Sequence, residues 1–359
     1  MSAGPRILFI PASGPRGAGE YFRSLTIAEG VRRRWPAADI RFVLSREAGY
    51  AQEAPFPVIL VDRSPTYETG PVIRAIEELR PEIVIFDSAG RVAQFRGARR
   101  SGARVVYVSS RPKTRWKGFR LRRMLQLDQH WLAWPRFLDG DLSSWERLKL
   151  RLAPHVEIVF LDSLFPPPDP ARAAAYRSQL GLDGDPYVLF CAGGGGYRSN
   201  GLSAPEIFGQ AAIDAARGGG PRAVWVRGPN YAGKLAPPPE LLSLGALGGQ
   251  QMMDLLSGAR LATINGGSLL LQALALKVPC VAAPVAGDQD ARIRACAARG
   301  LLVASELDSA ALAKAARALF DDAQRLQAIR TRLAELDLSN GVDKAVAALE
   351  RLLAVRRGA

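Results

Sequence analysis

The feature that most narrows the fold is an alternation of short apolar runs with helical patterns, carried through twice. Arg6-Ile-Leu-Phe-Ile10, Ile40-Arg-Phe-Val-Leu44, Val58-Ile-Leu-Val61, Ile83-Val-Ile-Phe86 and Val105-Val-Tyr-Val108 are largely apolar and rich in β-branched residues. Continuous apolar runs fit strands buried on both faces, which occur in parallel sheets covered by helices. Helical patterns separate them at 21–34, 72–79 and 92–100; in the first, Leu25, Ala28 and Val31 share a face. The alternation lapses between Ser110 and His155 and returns with Glu157-Ile-Val-Phe-Leu161. Phe165-Pro-Pro-Pro-Asp-Pro170 then interrupts it, because a proline cluster continues neither a helix nor a central strand. A second series follows, with strands at 187–191, 223–226, 261–264 and 280–283 and helices between and after them. The expected architecture is α/β, two doubly wound parallel-sheet (Rossmann-like) domains facing a cleft. The expected boundaries are 1–165, a proline-rich linker at 166–186, and 187–359, whose last helix is free to pack back on the first domain.

A chain of 359 residues, 48% hydrophobic and 23% charged, can build two such cores. Its three cysteines, Cys191, Cys280 and Cys296, lack metal-ligand spacing, which argues against a disulfide scaffold and fits a reducing cytoplasm. Two histidines exclude a multi-histidine metal site. No apolar run reaches the roughly 18–20 residues that span a bilayer, and Met1 to Ile10 contains no charged-then-apolar leader. The expected location is cytoplasmic, peripheral on the inner face of the membrane. The net charge of +14 is uneven: residues 1–178 carry 29 basic and 18 acidic side chains, or +11, and the remainder +3. An anionic partner is therefore expected to meet the first half.

Ligands of open parallel sheets sit beyond the carboxyl ends of the strands. The loop after the first run, Pro11 to Tyr21, is glycine-rich and includes Gly17 and Gly19; the one after 187–191 is Ala192-Gly-Gly-Gly-Gly-Tyr197. Both suit close approach of a ligand to the main chain, and the second lacks Walker spacing. The most specific constellation is Ile264-Asn-Gly-Gly-Ser268, continuing through Gln272 to Lys277-Val-Pro279, with Ala286-Gly-Asp-Gln-Asp290 beyond the next strand. Glycines opening a helix after a strand present free N–H groups and a positive dipole end, which is an anion site. Ser268 can add a hydroxyl donor, and Asp288 and Gln289 are adjacent polar groups suited to binding hydroxyls.

The run Gly-Gly-Ser-x-x-x-Gln-Ala-Leu-Ala-Leu-x-Val-Pro followed by Gly-Asp-Gln resembles the donor signature of GT-B-fold glycosyltransferases. Similar families are the lipid-linked N-acetylglucosaminyltransferase of peptidoglycan synthesis, the UDP-glucuronosyltransferases and the UDP-sugar hydrolase of pseudaminic acid biosynthesis. Gly17-Ala-Gly-Glu-Tyr-Phe-Arg-Ser-Leu is similar to their Gly-x-Gly-His-x-x-Arg-x-Leu stretch. The resemblance implies a nucleotide-diphospho-sugar, UDP-linked by analogy, as substrate, with no separate cofactor. Gly194, Gly195, Gly266, Gly267 and Ser268 would hold the diphosphate; Asp288 and Gln289 would hold the sugar. Gln272 stands where the family has a ribose-binding glutamate, and Glu20 where it has a histidine. Glu20 could act as general base toward an acceptor hydroxyl, with Asp87 as its rival. Helix ends could carry the phosphate charge without a metal. Two alternatives stay open: a nucleotide-sugar hydrolase, and a non-catalytic membrane adaptor on the same scaffold.

Residues 111–151 hold 11 basic and four acidic side chains and four of the six tryptophans. Trp116, Phe119, Arg120, Arg122 and Arg123 fit an amphipathic insert that meets anionic lipid. A lipid-linked or glycan acceptor would suit that surface. No nucleic-acid motif accompanies the basic residues.

Overall fold

The computed structural model describes every residue except 1–3, 16, 17, 140, 195–197, 200, 201, 229, 230, 232, 234, 358 and 359. The chain forms two compact units, one from residues 1–164 and 340–359 and the other from 165–339.

The first unit is built on seven strands: β1 (Arg6–Pro11), β2 (Asp39–Ser45), β3 (Val58–Val61), β4 (Ile83–Asp87), β5 (Arg104–Ser109), β6 (Gln129–Leu132) and β7 (Glu157–Phe160). All neighbours are parallel, in the order β3-β2-β1-β4-β5-β6-β7. The register Leu8↔Val84 and Ile10↔Phe86 sets apolar side chains beside one another. Ile7 and Phe9 pack with Ile27 and Val31, while Leu8 and Ile10 pack with Val72, Ile76 and Phe95. Both faces of β1 are thus covered, which explains why its sequence does not alternate.

The apparent lapse at 110–155 conceals β6. Its four residues are buried, and it pairs with β5 and β7. Polar Gln129 and His130 disguise it. Gln129 Nε2 donates to Glu157 Oε2 at 2.6 Å and to the Ala348 carbonyl at 3.1 Å, and its Oε1 accepts from Trp131 Nε1 at 2.8 Å. His130 Nε2 shares a 2.9 Å hydrogen bond with Ser109 Oγ. These partners offset the cost of burying polar groups in a central strand, except at His130 Nδ1, which is buried without a hydrogen-bond partner. Residues 111–151 therefore include part of the core sheet as well as surface helices.

The last helix, Gly341–Arg357, belongs to the first unit: Ala345, Ala348, Leu349 and Leu352 join the core face of Ile7 and Phe9. A Cβ on Gly341 would collide with the Leu161 carbonyl, so glycine is needed where this helix begins.

The second unit has β8 (Tyr187–Cys191), the short antiparallel pair β9 (Arg198–Ser199) and β10 (Leu202–Ser203), β11 (Arg222–Val226), β12 (Leu242–Leu244), β13 (Leu261–Asn265), β14 (Cys280–Ala283) and β15 (Val303–Ala304). Its main sheet is parallel in the order β12-β11-β8-β13-β14-β15. A helix, Pro170–Gln179, lies within the expected linker. Asp169 caps it through the Arg172 N–H at 2.8 Å, and Pro170 occupies the tolerated first turn. Arg172 anchors it with a two-pronged ion pair to buried Asp254, at 2.7 and 3.1 Å.

Candidate functional site

In the second unit, the carboxyl ends of β8 and β13 bring their loops together through Asn265. Its Nδ2 donates to the Ala192 carbonyl at 2.8 Å, and its Oδ1 accepts the Gly267 N–H at 3.2 Å. The loops are packed too tightly for side chains. A Cβ on Gly193 would stand 2.6 Å from Asn265 Nδ2, and one on Gly228 would stand 2.3 Å from the Gly193 carbonyl oxygen. Both glycines also have left-handed backbones, φ +82° and +83°.

The loop after β14 braces the same turn. Gln289 Oε1 accepts the Gly266 N–H at 3.1 Å and the Val285 N–H at 2.9 Å. Arg292 donates to the Gly266 carbonyl and, at 3.1 Å, to Asp288 Oδ2. Two glycine N–H groups are thus committed within the protein. Beyond them, the helix Ser268–Ala275 starts without a side-chain cap, and Ser268 is exposed. The first-turn N–H groups and the Ser268 hydroxyl are the donors placed to meet an anion.

In the first unit, the helix Gly19–Arg34 follows the loop after β1. Arg23 projects from it onto Asp87 at the end of β4: Nε to Oδ2 is 2.8 Å and Nη2 to Oδ1 is 2.5 Å. Ser24 Oγ donates to Asp87 Oδ2 at 3.3 Å. Asp87 is fully buried, and burial pushes its carboxyl up while the Arg23 guanidinium pulls it down. Glu20, one turn earlier, has its side chain 18% exposed and lies 3.7 Å from the exposed guanidinium of Arg111. Its carboxylate can meet a ligand; that of Asp87 is enclosed by Arg23 and Ser24.

No family model matches the chain, and no curated protein matches it. Solved structures do. The glycotransferase of kitacinnamycin superposes with a TM-score of 0.62 at 17% identity, covering 98% of this chain and 100% of that one. MurG of Acinetobacter baumannii gives 0.60 at 15% identity, covering 97% and 99%. UGT2 of Phytolacca americana, solved with UDP-2-fluoro-glucose and pterostilbene, gives 0.63 at 11% identity, covering 97% and 99%. The chain has the GT-B fold.

On this GT-B scaffold the expected donor residues Gly266, Gly267, Ser268, Asp288 and Gln289 fall in one neighbourhood of the second unit, with Gln272 one turn down the helix from Ser268. Gln289 and the two glycine N–H groups brace the turn rather than present those particular atoms to solvent. Gly194 is exposed on the loop after β8. Gly195 and Gly17 lie outside the described residues, and Gly19 opens the first helix. Sequence reasoning missed Asn265, Arg292 and the part played by Arg23. Asn265 immediately precedes the glycine pair, Arg292 lies four residues after Asp288, and Arg23 stands in the glycine-loop motif.

The lipid-facing expectation needs correction at two residues. Phe119 is 1% exposed and packs beside His130, with ring centroids 4.9 Å apart. Arg123 donates to the Gly90 carbonyl at 2.6 Å and lies over the rings of Phe95 and Tyr107. The short helices Pro112–Gly118 and Leu121–Met124 divide the insert, and these two residues turn inward. Trp116, Arg120 and Arg122 remain exposed.

Among the described residues, no group of three or more His, Cys, Asp or Glu could hold a metal. Burial pushes the Cys191 thiol up to about 11, making it a poor nucleophile. Among those same residues, no helix is long and apolar enough to cross a membrane.

Proposed function

We propose that the protein is a glycosyltransferase moving a sugar from a nucleotide-diphospho-sugar, UDP-linked, to an acceptor hydroxyl. The observation that carries this reading is the uncapped opening of Ser268–Ala275, braced by Asn265, Gln289 and Arg292 on a GT-B scaffold. The second unit takes the donor. Its helix-end N–H groups and Ser268 hydroxyl stabilise the departing diphosphate, a role in which preorganised donors need no metal. Asp288 and the Gln289 Nε2 group serve the sugar, and Gln272 the ribose. The solved complex of UGT2 with UDP-2-fluoro-glucose supports the choice of nucleotide.

The first unit takes the acceptor. Glu20 removes the hydroxyl proton, the oxygen attacks the anomeric carbon, and the bond from that carbon to the diphosphate breaks with its electron pair passing to phosphate. Asp87 acts through Arg23, which it holds beside the first helical turn. The strong positive charge of the first half favours an acceptor displayed at an anionic surface, including a lipid-linked one on the inner face of the membrane. Incubation with UDP-sugars and candidate acceptors tests the reading: it expects acceptor-dependent release of UDP and a glycosylated product. Release of free sugar without acceptor would instead identify a hydrolase, and no nucleotide binding at all would overturn both.

A further inference from the structure

We infer that one face of the first unit, made by the helices Pro112–Gly118 and Ser144–Leu152, docks on an anionic phospholipid bilayer. This specifies the surface on which the proposed acceptor is met, but its test does not depend on glycosyl transfer. The helix Ser144–Leu152 buries none of its residues. Trp145, Leu148 and Leu152, spaced three and four apart on one helical face, are 71%, 43% and 60% exposed. Trp116, on the neighbouring helix, is 57% exposed, and Trp116 and Trp145 line the same cavity of about 450 Å³. Arg115 ties the two helices with a two-pronged bond to Glu146, at 2.9 and 3.0 Å. The tryptophans therefore belong to one braced face.

Charge selects the occupant. Asp141 is paired with Arg136 at 2.8 Å and Arg147 at 3.0 Å, while Glu146 is paired with Arg115. Lys113 and Lys117 add cations to the first of these helices and Lys149 and Arg151 to the second; Arg120 and Arg122 follow just beyond the first, and Arg120 lies 4.0 Å over the Trp116 ring. A second copy of the chain would bring these cations against each other. An anionic bilayer instead accepts tryptophan and leucine at its headgroup boundary and attracts the surrounding lysine and arginine.

Sedimentation with vesicles tests the inference. Wild-type protein should sediment with phosphatidylcholine vesicles containing phosphatidylglycerol at low salt, much less at high salt, and not with phosphatidylcholine alone. Trp145→Ser combined with Leu148→Ser should weaken binding at least tenfold, as should Lys113→Gln, Arg120→Gln and Arg122→Gln together. Arg96→Gln with Arg100→Gln, exposed elsewhere on the same unit, should leave it unchanged. Circular dichroism and the unfolding midpoint check that each variant folds. Failure of the wild type to bind anionic vesicles would overturn the inference, as would equal loss in the Arg96/Arg100 control or full binding by folded face variants. Self-association through Trp145 without vesicle binding would assign the face to a second copy.

Discussion

Arg23 grips Asp87 with two nitrogens, Nε at 2.8 Å and Nη2 at 2.5 Å from the two carboxylate oxygens. The pair joins the first helix to the end of β4, one helical turn from Glu20. Removing one partner would leave an uncompensated buried charge. Arg23→Met should cost about 3–5 kcal/mol of unfolding free energy, and Arg23→Met with Asp87→Leu should recover much of it. Denaturant titration checks both; equal stability of the single variant and wild type would show that the pair holds nothing.

The same relationship separates the two candidate bases. Glu20→Gln should lower kcat by roughly 10²–10⁴ while leaving donor affinity and unfolding stability nearly unchanged. Asp87→Asn should lose stability together with activity, because it weakens the attachment of Arg23. Steady-state kinetics beside thermal unfolding distinguishes the roles. A stable, inactive Asp87→Asn and a fully active Glu20→Gln would reverse them.

His130 gives a pH signature. Burial, helped by Arg115 and Arg123 and opposed by Glu146, pushes its imidazole down to about 3. Below its ordinary value of about 6.5, the unfolded chain takes up a proton that the folded chain refuses. The His130 contribution therefore falls as pH drops from about 6.5 toward 3, by up to about 1.4 kcal/mol per pH unit, and is flat above that window. Urea titrations across pH should show this slope reduced in His130→Gln. Identical slopes in both proteins would contradict the burial of a neutral ring.

Much of this was legible because burial on two faces leaves continuous apolar strands: β1, β4, β8 and β13 can be read directly from their residues. β6 could not, since polar Gln129 and His130 interrupt its apolar run, and the groups that bond them, Glu157, Ala348 and Ser109, are distant in sequence. The inward placement of Phe119 and Arg123 is hidden for a related reason: two short helices turn the chain within the amphipathic insert, and local composition does not show the turn. The helix opening at Ser268 was readable from its glycines, but not that Asn265 and Gln289 already hold the Gly267 and Gly266 N–H groups. Such closures depend on where neighbouring strands end, which local sequence does not encode.

Arg292 offers a prediction that sequence alone could not make. It links the Gly266 carbonyl to Asp288. Arg292→Met should loosen the turn and weaken UDP binding several-fold with the global unfolding midpoint little changed. Calorimetry with matched unfolding curves checks this; unchanged UDP affinity would show that the turn keeps its shape without the arginine.

In the proposed function, the opening of the helix Ser268–Ala275 receives the donor diphosphate. Calorimetric titration of UDP into wild type and Gly267→Val tests it most directly. A Cβ at Gly267 meets Asn265 Oδ1 at 3.1 Å, and the valine methyls would crowd the helix opening. Wild type should bind UDP, and the folded variant should bind it at least tenfold more weakly, about 1.4 kcal/mol. Equal affinity in a folded Gly267→Val, or no UDP binding by wild type, would contradict it.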